Sequence, residues 1–332
     1  MEEIKVSINC LVYNHGKYLR ECLDGILMQQ TDFKYEVLIH DDASTDDSVD
    51  IIREYEIKYP NIIKPIYQTE NQYSKGLPIA TVHQYPRALG KYIAFCEGDD
   101  YWIDSHKLQK QVDYMDSHID CTFCFTNGYI EDLKNGNKRR PFVPYNDYDA
   151  KFFRNENKEY DLNNMHEITF APTASFFIRC DALAKAIELY DGPCPTADLR
   201  MRLYTASFGY AYYINDKTCV YRQNVPDSAM SSWKNYDRKK VFEHNKKIIS
   251  MIDRLDSITG KKYSEGLFKI SKSFITYMIF NASSLKILKD DRNKRVFRSL
   301  PISMKTKAIL RILTPDRLLH FLKQIRGGWK ES

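Results

Sequence analysis

The chain has 332 residues, of which 43% are hydrophobic and 28% are charged, so it can bury a sizeable core and is not disordered as a whole. Its formal net charge of +5 resides in residues 301–332, which carry seven basic and two acidic side chains, and the rest of the chain is neutral. A neutral body argues against a general nucleic-acid-binding surface and makes the C-terminal tail the candidate contact for an acidic partner.

From the sequence we expect a cytoplasmic protein. No run approaches the about 18 consecutive apolar residues that cross a bilayer, and the start MEEIKVSINC lacks the charged-then-apolar plan of a signal peptide. The eight scattered cysteines fit reduced, mostly buried thiols. Cys121 and Cys124 form a C-x-x-C pair, but no second pair follows at zinc spacing, so we assign it no metal or redox role.

The first hundred residues alternate between strand-like and helix-like patterns. The predicted strands are KVSINCLVY, YEVLIH, IIKPIYQ and KYIAF, and the predicted helices are YLRECLDGILMQQ, a segment that starts at STDD, and IATVHQYPRAL. Ser44 and Asp47 have the spacing of a capping box, which predicts the start of the second helix. Alternation at this spacing predicts βαβ units and a mainly parallel sheet with helices on both faces.

The second part of the chain shows a less regular α/β pattern and then helices. The predicted elements are a helix HKLQKQVDYMDSH, strands CTFCFTNGYI and ASFFIR, helices CDALAKAIELY and ADLRMRLYTASFG, and a strand or hairpin YAYYINDKTCVYR. Residues 132–165 are polar and have little periodicity, which predicts a mobile substrate-covering loop or an insertion. From Val241 onward the patterns are helical only.

Three polar motifs follow predicted strands: YNHGKY, HDDASTDD and CEGDDYW. Ligands of parallel sheets bind at the carboxyl ends of the strands, so we expect the three motifs at one edge. In the third motif, Glu97 and Asp99 can offer oxygens to one divalent cation, and Gly98 lets the backbone turn between them. In the second, the carboxylates of Asp41 and Asp42 can accept hydrogen bonds from a base or a ribose. Each motif taken alone is also compatible with a solvated loop beside a helix cap.

Motif type, order and spacing together carry a family resemblance. The run VSINCLVYNHGKYLRECLDGILMQQTDFKYEVLIHDDASTDDS, followed by GKYIAFCEGDDYW, resembles the nucleotide-binding half of family 2 glycosyltransferases of the GT-A fold. The resemblance is strong over residues 5–102 and continues more weakly to about Arg222. It implies an α/β fold: a GT-A, Rossmann-like, mostly parallel sheet flanked by helices, with an added helical C-terminal region.

The same resemblance implies a domain organisation and a reaction. The expected domains are a glycosyltransferase domain in residues 1–230, with nucleotide-sugar binding in 1–105 and the acceptor and catalytic base in 106–230, and a helical region in 231–332. The implied reaction is an inverting, divalent-metal-dependent transfer of a sugar from a nucleotide diphosphate, with UDP favoured, to a hydroxyl acceptor in cell-surface glycan synthesis.

Two other functions stay open at this point. A sugar-phosphate nucleotidyltransferase also needs a metal and a nucleotide-binding sheet, although YNHGKYLR has a single glycine where a glycine-rich phosphate loop is expected. The second alternative is a nucleotide-sugar-binding or scaffold protein without transfer activity.

By this resemblance, four residues bind the nucleotide. Val12 and Tyr13 end the first strand and are expected to lie against the nucleobase, and Asp42, alone or with Asp41, is expected to recognise it. The two aspartates could instead precede a helix and interact only with its dipole, a contribution of about 0.3–1 kcal/mol.

The resemblance also implies the metal ligands and the base. Glu97 and Asp99 stand where the family has its D-x-D acids and are expected to hold Mn²⁺ or Mg²⁺, with Asp99 as the direct ligand. Asp198 matches the acidic residue that serves the family as general base, and Asp100 is expected to orient the metal motif or to meet the acceptor. Asp198 could instead be an ordinary helix cap.

The chain departs from the family pattern in three places. Glu97 replaces the first Asp and is long enough to reach a metal through water. The segment TVHQYPR offers His83, Gln84 and Arg87 in place of an Arg-Asn pair, which leaves the diphosphate contacts there open. Ala197 stands where the base motif commonly has Glu.

The C-terminal tail predicts one further partner. Leu318, Leu319, Leu322 and Ile325 fall on one helical face with basic residues and Trp329 nearby, a pattern typical of helices that lie on an anionic membrane surface. Such an anchor would hold the protein peripherally on the inner membrane face, near a glycan or lipid-linked acceptor. The alternative is a basic helix that packs on the catalytic domain.

Overall fold

The computed structural model describes residues 3–189, 196–226 and 237–314. Contacts between Cα atoms divide the chain into two compact units. The first contains Met1–Asp191 with Asp198–Pro226, and the second contains Gly192–Ala197 with Asp227–Ser332. The predicted domain boundary after residue 230 lies outside the described residues and stays a prediction. None of the helices within the described ranges is long and apolar enough to cross a membrane.

The first unit is built on one mixed sheet. Its strands are β1 (Ile4–Val12), β2 (Lys34–Asp41), β3 (Ile63–Tyr67), β4 (Tyr92–Phe95), β5 (Tyr101–Trp102), β6 (Cys121–Asp132), β7 (Lys138–Pro141), β8 (Lys158–Tyr160), β9 (Phe176–Arg179) and β10 (Tyr210–Gln223). In the described part of the chain they are ordered β3-β2-β1-β4-β9-β6-β10-β5, with β7 beside β6 and β8 beside β10. The first four are parallel, whereas β9 runs antiparallel to β4 and β6. The predicted α/β fold is confirmed, with a more mixed sheet beyond β4.

Helices flank this sheet. They are α1 (Gly16–Leu27), α2 (Ser48–Lys58), α3 (Lys107–Ser117), α4 (Asp147–Ala150), α5 (Cys180–Glu188) and α6 (Ala197–Ala206). In α1, Leu19, Leu23 and Ile26 are buried on one face because they recur at helical spacing. The predicted helix IATVHQYPRAL is instead a π-helical turn, Ala80–Gln84, and a 3-10 turn, Tyr85–Arg87, since a proline cannot donate the hydrogen bond that an α-helix needs there.

One local prediction is wrong, and another is narrowed. In the described structure α2 begins at Ser48, and its N-cap residue Asp47 accepts no hydrogen bond through its side chain, so Ser44 and Asp47 do not form a capping box. The oxygen of Ser44 instead accepts the backbone N–H of Asn14 at 2.9 Å. Residues 132–165, predicted to be a mobile substrate-covering loop or an insertion, contain β7, α4 and β8, so they are not a structureless loop, and the insertion stays a prediction. All three elements are short, and β7 and β8 pair outside the main strand order, so their sequences carry no periodic apolar face.

Buried aromatic residues anchor the segment that follows β4. Tyr101 and Trp102 form β5, where both are almost completely buried, and the indole N–H of Trp102 donates to the carbonyl of Ala174 at 3.0 Å. Val220 of β10 lies opposite Tyr101 in the sheet. The acidic stretch between β4 and β5 is therefore fixed at both ends by buried strands.

The second unit is helical, as predicted from Val241 onward. Its described α-helices are α7 (Arg238–Ile258), α8 (Ser264–Phe280), α9 (Asp291–Ser299) and α10 (Ile302–Leu313). Ile249, Ile275, Val296 and Ile312, one from each helix, belong to its shared apolar core. The predicted amphipathic stretch from Leu318 to Trp329 lies outside the described residues.

Candidate active site

The carboxyl ends of β1, β2 and β4 lie side by side. Val12 of β1 pairs in register with Asp41 of β2, and Asn9 of β1 pairs with Phe95 of β4. The loops that follow these three strands start at the same edge of the sheet, and they carry the three polar motifs. This is the convergence that the sequence predicts.

The acidic loop, Glu97–Asp100, is fastened to the end of β1. The N–H of Gly98 donates to the carbonyl of Leu11 at 3.0 Å. A Cβ atom at Gly98 would lie 2.7 Å from Nδ1 of His15 and 3.1 Å from Cγ2 of Val12. Glycine at this position lets the loop lie this close to β1 without displacing the side chain of His15.

Three carboxylates of this loop face one another. Glu97, Asp99 and Asp100 each offer one oxygen, and these oxygens all lie within 4.8 Å of one another. Asp100 is fully buried: its Oδ1 accepts the N–H of Arg222 at 2.9 Å, whereas its Oδ2 has no hydrogen-bond partner among the described residues. Hard divalent cations prefer such oxygen ligands, so these residues fit Mn²⁺ or Mg²⁺. The bare oxygen makes Asp100 a third candidate ligand beside the two predicted ones.

Burial and mutual repulsion raise the pKa values of these acids. Burial, the charge of Asp99 and the charge of Asp198 raise the pKa of Glu97 to about 7. Burial, followed by the charges of Asp99 and Glu97, holds the pKa of Asp100 well above its usual range. A cation bound between such groups would favour their ionised forms, so its binding should release protons.

Asp198 belongs to the same site although it is distant in sequence. It lies in the first turn of α6, and its charge contributes to the raised pKa of Glu97, which places the two carboxylates near each other. Burial and the charges of all four carboxylates raise the pKa of the Tyr221 phenol above its usual range. The predicted base is thus brought to the predicted metal site, and its catalytic role stays a prediction.

The residue after β1 is the most exposed part of the predicted nucleotide site. Val12 is buried, whereas Tyr13 exposes 40% of its surface at the sheet edge. Two residues further, Nε2 of His15 lies 3.9 Å from Oδ2 of Asp99. The loop after β1 therefore links the predicted base-binding residues to the acidic loop.

The two aspartates after β2 have different surroundings. Asp42 accepts the backbone N–H groups of Gln72 and Tyr73, one on each carboxylate oxygen, at 2.7 and 3.0 Å. Asp41 accepts the N–H of Ser44 on Oδ2, while its buried Oδ1 has no hydrogen-bond partner in the described structure. Asp42 therefore positions the turn at Gln72–Tyr73, whereas Oδ1 of Asp41 is available to accept a hydrogen bond from a ligand. Which of them recognises a base stays a prediction.

Polar side chains of the β2–α2 segment hold the loop after β1. His15 donates its N–H to the oxygen of Ser48 at 3.0 Å, and Gly16 donates to Oδ2 of Asp46 at 2.8 Å. These bonds take the place of the predicted capping box and orient the start of α1.

The segment TVHQYPR supports the sheet. The amide of Gln84 donates to the carbonyl of Leu38 at 2.6 Å, and Nη2 of Arg87 donates to the carbonyls of Ile39 and Lys64 at 3.1 and 2.9 Å. His83 stacks on His40 with ring centroids 5.1 Å apart, and burial lowers the pKa of His40 to about 4. Arg87 thus holds β2 to β3, and these contacts give no support to a diphosphate role.

Sequence reasoning missed His15, Tyr221 and Arg222. His15 lies within the motif YNHGKY, so its position at the end of the first strand was a signal that could have identified it. Tyr221 and Arg222 reach the acidic loop only because β10 pairs with β5, so that Val220 lies opposite Tyr101. That pairing joins distant segments, and no local periodicity contains it.

Comparison with known proteins identifies the family. The family model described as Glycosyl transferase family 2 matches residues 7–186, more than half of the chain. The chain belongs to this family. Among curated relatives, the Bacillus subtilis protein named putative teichuronic acid biosynthesis glycosyltransferase TuaG is 34% identical over 138 residues, which cover 42% of this chain and 52% of TuaG. The chain spans about a third to a half of the length of the first curated relatives that it matches.

Two solved structures share the architecture. Residues 1–349 of Staphylococcus aureus TarS in complex with UDP-GlcNAc have a TM-score of 0.61 at 20% identity, covering 93% of this chain and 89% of that one. The mannosyltransferase PcManGT from Pyrobaculum calidifontis, in complex with GDP-Man and Mn²⁺, has a TM-score of 0.53 at 17% identity, covering 93% of this chain and 85% of that one. At these identities the likeness concerns the fold, and it confirms the GT-A architecture.

Proposed function

We propose that this chain transfers a sugar from a UDP-sugar to a hydroxyl group of a glycan, with inversion at the anomeric carbon. The observation that carries the proposal is the group of four carboxylates, three on one loop and Asp198 on α6, at the edge where the nucleotide motifs end. Family membership supports the reaction class. The similarity to TuaG, named for teichuronic acid biosynthesis, and to TarS, solved with UDP-GlcNAc, supports a polymer-building enzyme that uses UDP.

The acidic loop would hold the divalent cation. Glu97 and Asp99 are the predicted ligands, and the bare oxygen of Asp100 belongs to the same carboxylate group. A cation held there would bind the oxygens of the diphosphate and stabilise the charge of the leaving nucleotide. The complex of PcManGT with GDP-Man and Mn²⁺ supports this choice of ion.

Asp198 is the proposed base. Its carboxylate accepts the proton of the acceptor hydroxyl while the acceptor oxygen forms a bond to the anomeric carbon. The bond from that carbon to the diphosphate oxygen breaks at the same time, and its electron pair leaves with the nucleotide. Attack from the face opposite the diphosphate inverts the anomeric centre, so no covalent enzyme intermediate is needed.

Binding and turnover of nucleotide sugars test this function on the full chain. We expect calorimetric UDP affinity to fall strongly when EDTA replaces Mn²⁺, and a panel of UDP-sugars to reveal one donor that releases UDP. Asp99→Asn should reduce the metal dependence, whereas Asp113→Asn, an exposed site on α3, should not.

A nucleotidyltransferase would instead release pyrophosphate from a nucleoside triphosphate and a sugar phosphate. A binding protein would bind UDP and release none from any donor.

We also propose that the second unit contacts an anionic membrane surface. On α10, Ile302, Leu310 and Leu313 expose 81%, 61% and 63% of their surfaces, and Lys307 is exposed on the same helix. An exposed apolar stripe beside lysines suits a helix lying on anionic lipid. Leu310→Ser with Leu313→Ser on α10 should weaken sedimentation of the full chain with phosphatidylglycerol vesicles, because both side chains are exposed. Equal sedimentation with neutral and anionic vesicles would rule the contact out.

A further inference from the structure

We infer that Arg222 is a positioning residue that fixes the acidic loop in the geometry a divalent cation needs; this inference rests on the proposed metal-dependent function. Its Nη1 donates to the backbone carbonyl of Asp99 at 2.9 Å. Its own backbone N–H donates to Oδ1 of Asp100 at 2.9 Å. One residue of β10 therefore holds the main chain at one candidate ligand and the side chain of the next.

The guanidinium group of Arg222 is itself held in place. It is buried, with 6% of the residue exposed, and its Cζ lies over the rings of Tyr18 and Tyr101, 5.0 and 4.3 Å from their centroids. Its Nη2 donates to Oε2 of Glu21, and its Nε lies 3.5 Å from Oε2 of Glu131. A planar, stacked group with donors in fixed directions orients a loop more strictly than a flexible ammonium group could.

The surrounding charges indicate that Arg222 acts mainly through geometry. Two carboxylates, from Glu21 and Glu131, pair with its guanidinium, and a second cation, Arg139, pairs with Glu131 at 2.9 Å. This group of two cations and two anions is close to neutral. It leaves most of the negative charge of the acidic loop to be balanced by a bound cation.

Arg222 is not a substrate-contacting residue in this arrangement. The donors of its guanidinium are directed to the Asp99 carbonyl, Glu21 and Glu131, and the group lies over the rings of Tyr18 and Tyr101. Replacing its side chain keeps the backbone bond to Asp100 but removes the bond to the Asp99 carbonyl. The replacement should therefore weaken the cation site, because the main chain at Asp99 loses its hold, and should impair nucleotide binding only through the cation. Loss of a residue that orients metal ligands typically lowers metal affinity about 10–100-fold.

The test is Mn²⁺ binding to the full-length protein, measured by electron paramagnetic resonance and calorimetry without substrate turnover. We expect Arg222→Gln and Arg222→Lys to raise the Kd for Mn²⁺ by about 10–100-fold. UDP binding to these variants should recover when Mn²⁺ is saturating. The matched control is Arg139→Gln, since Arg139 donates to Glu131 and to the hydroxyl of Tyr101 at 2.9 and 2.5 Å. Its Mn²⁺ affinity should stay within about threefold of wild type, because it leaves the bonds from Arg222 in place.

Three outcomes would overturn the inference: an unchanged Mn²⁺ Kd in a folded Arg222 variant, an equal loss in Arg139→Gln, or a loss of UDP binding that saturating Mn²⁺ does not restore. Glu21→Gln serves if the Arg222 variants do not fold, since the Glu21 side chain is 54% exposed and releases only one contact of the guanidinium. It should weaken Mn²⁺ binding in the same direction by a smaller factor, and an unchanged Kd would also overturn the inference. If the wild-type protein binds no Mn²⁺, the proposed function fails instead.

Discussion

β2 and β4 flank β1 in the sheet, and the loops that follow them differ in the surroundings of their carboxylates. After β2, Asp42 accepts two backbone N–H groups, and Asp46 accepts N–H groups of Gly16 and Ser48. Burial acts against Asp46, but these hydrogen bonds lower its pKa below the usual value. After β4, burial and repulsion raise the pKa values of Glu97 and Asp100.

This difference distinguishes carboxylates that stabilise the fold from carboxylates that are available to bind a ligand. An ionised oxygen that accepts backbone hydrogen bonds is already stabilised and holds two segments together. An oxygen that is buried without a partner costs free energy until a ligand binds it. The loop after β2 therefore shapes the site mainly through hydrogen bonds within the protein, and the loop after β4 offers open ligand positions. Asp41, with its bare Oδ1, is the exception in the first loop.

The largest expected effect is on the carboxylate that joins the acidic loop from α6. Asp198→Asn keeps the size of the side chain and removes its basicity, so the transfer rate should fall by about 10²–10⁴ if Asp198 is the general base. UDP affinity and melting temperature should stay near wild type, since Asp198 lies within the first turn of α6, where losing its charge costs only about 0.3–1 kcal/mol of interaction with the helix dipole. Transfer, UDP binding and thermal unfolding are measured on one preparation. A variant that transfers sugar within about threefold of wild type would reassign the base, with Asp100 as the next candidate.

The second expected effect is a pH-dependent stability of the cation-free protein. Because the pKa of Glu97 is about 7 in the folded protein and 4.5 ordinarily, folding favours its protonated form. Its contribution is complete below pH 4.5 and is lost as the pH rises to about 7, which lowers the free energy of unfolding by about 2–3 kcal/mol. Mn²⁺ should reduce this loss, since a bound cation stabilises the ionised carboxylates.

Urea unfolding between pH 4.5 and 8, in EDTA and in Mn²⁺, measures this effect. Burial lowers the pKa of His40 to about 4, which raises stability with pH over part of the same window. The contribution of Glu97 is therefore the difference between wild type and Glu97→Gln. A difference that is independent of pH, or that grows in favour of wild type as the pH rises, would contradict the raised pKa.

The third prediction separates the two aspartates after β2. Asp42→Asn loses one acceptor for the N–H groups of Gln72 and Tyr73 and should lower the free energy of unfolding by about 1–3 kcal/mol. Asp41→Asn can keep its bond from Ser44 while an amide donor replaces the bare oxygen, so UDP affinity should fall about tenfold with little change in stability. Calorimetry and thermal melts check both variants. The reverse pattern would make Asp42 the residue that recognises the base.

Most of the first half of the fold follows from local sequence. β1–β4, α1 and α2 have clear periodicity, and the three polar motifs end strands that pair in parallel, so their convergence could be predicted. The antiparallel insertion of β9 between β4 and β6 could not, because it depends on pairing between segments that are far apart in the chain. Short edge elements such as β7 and β8 also leave no periodic signal.

The carboxylates of the site could be predicted from the sequence, whereas the residues that hold them in place could not. Residue type and family resemblance predict Glu97, Asp99 and Asp198, and the structure brings their carboxylates to one place. Arg222 could not be found in this way, because its contacts depend on a buried cation placed by β10. Sequence spacing also could not predict the role of Ser44, because the hydrogen bonds of the folded loop make it an acceptor for the Asn14 N–H instead of part of a capping box.

The smallest expected effect concerns the role of Ser44. Ser44→Ala removes the acceptor of the Asn14 N–H and should lower the free energy of unfolding by about 1 kcal/mol. Amide hydrogen exchange should accelerate at Asn14, because its N–H loses its acceptor, while the first-turn amides of α2 keep their rates. Thr45→Ala is the matched control, since it removes the 3.3 Å bond from the Thr45 hydroxyl to Asn14 Oδ1 but retains the backbone N–H that donates to the same oxygen and leaves the Asn14 N–H with its acceptor. Faster exchange confined to the first turn of α2 would restore the capping-box interpretation, because a lost N-cap frees the N–H groups of that turn.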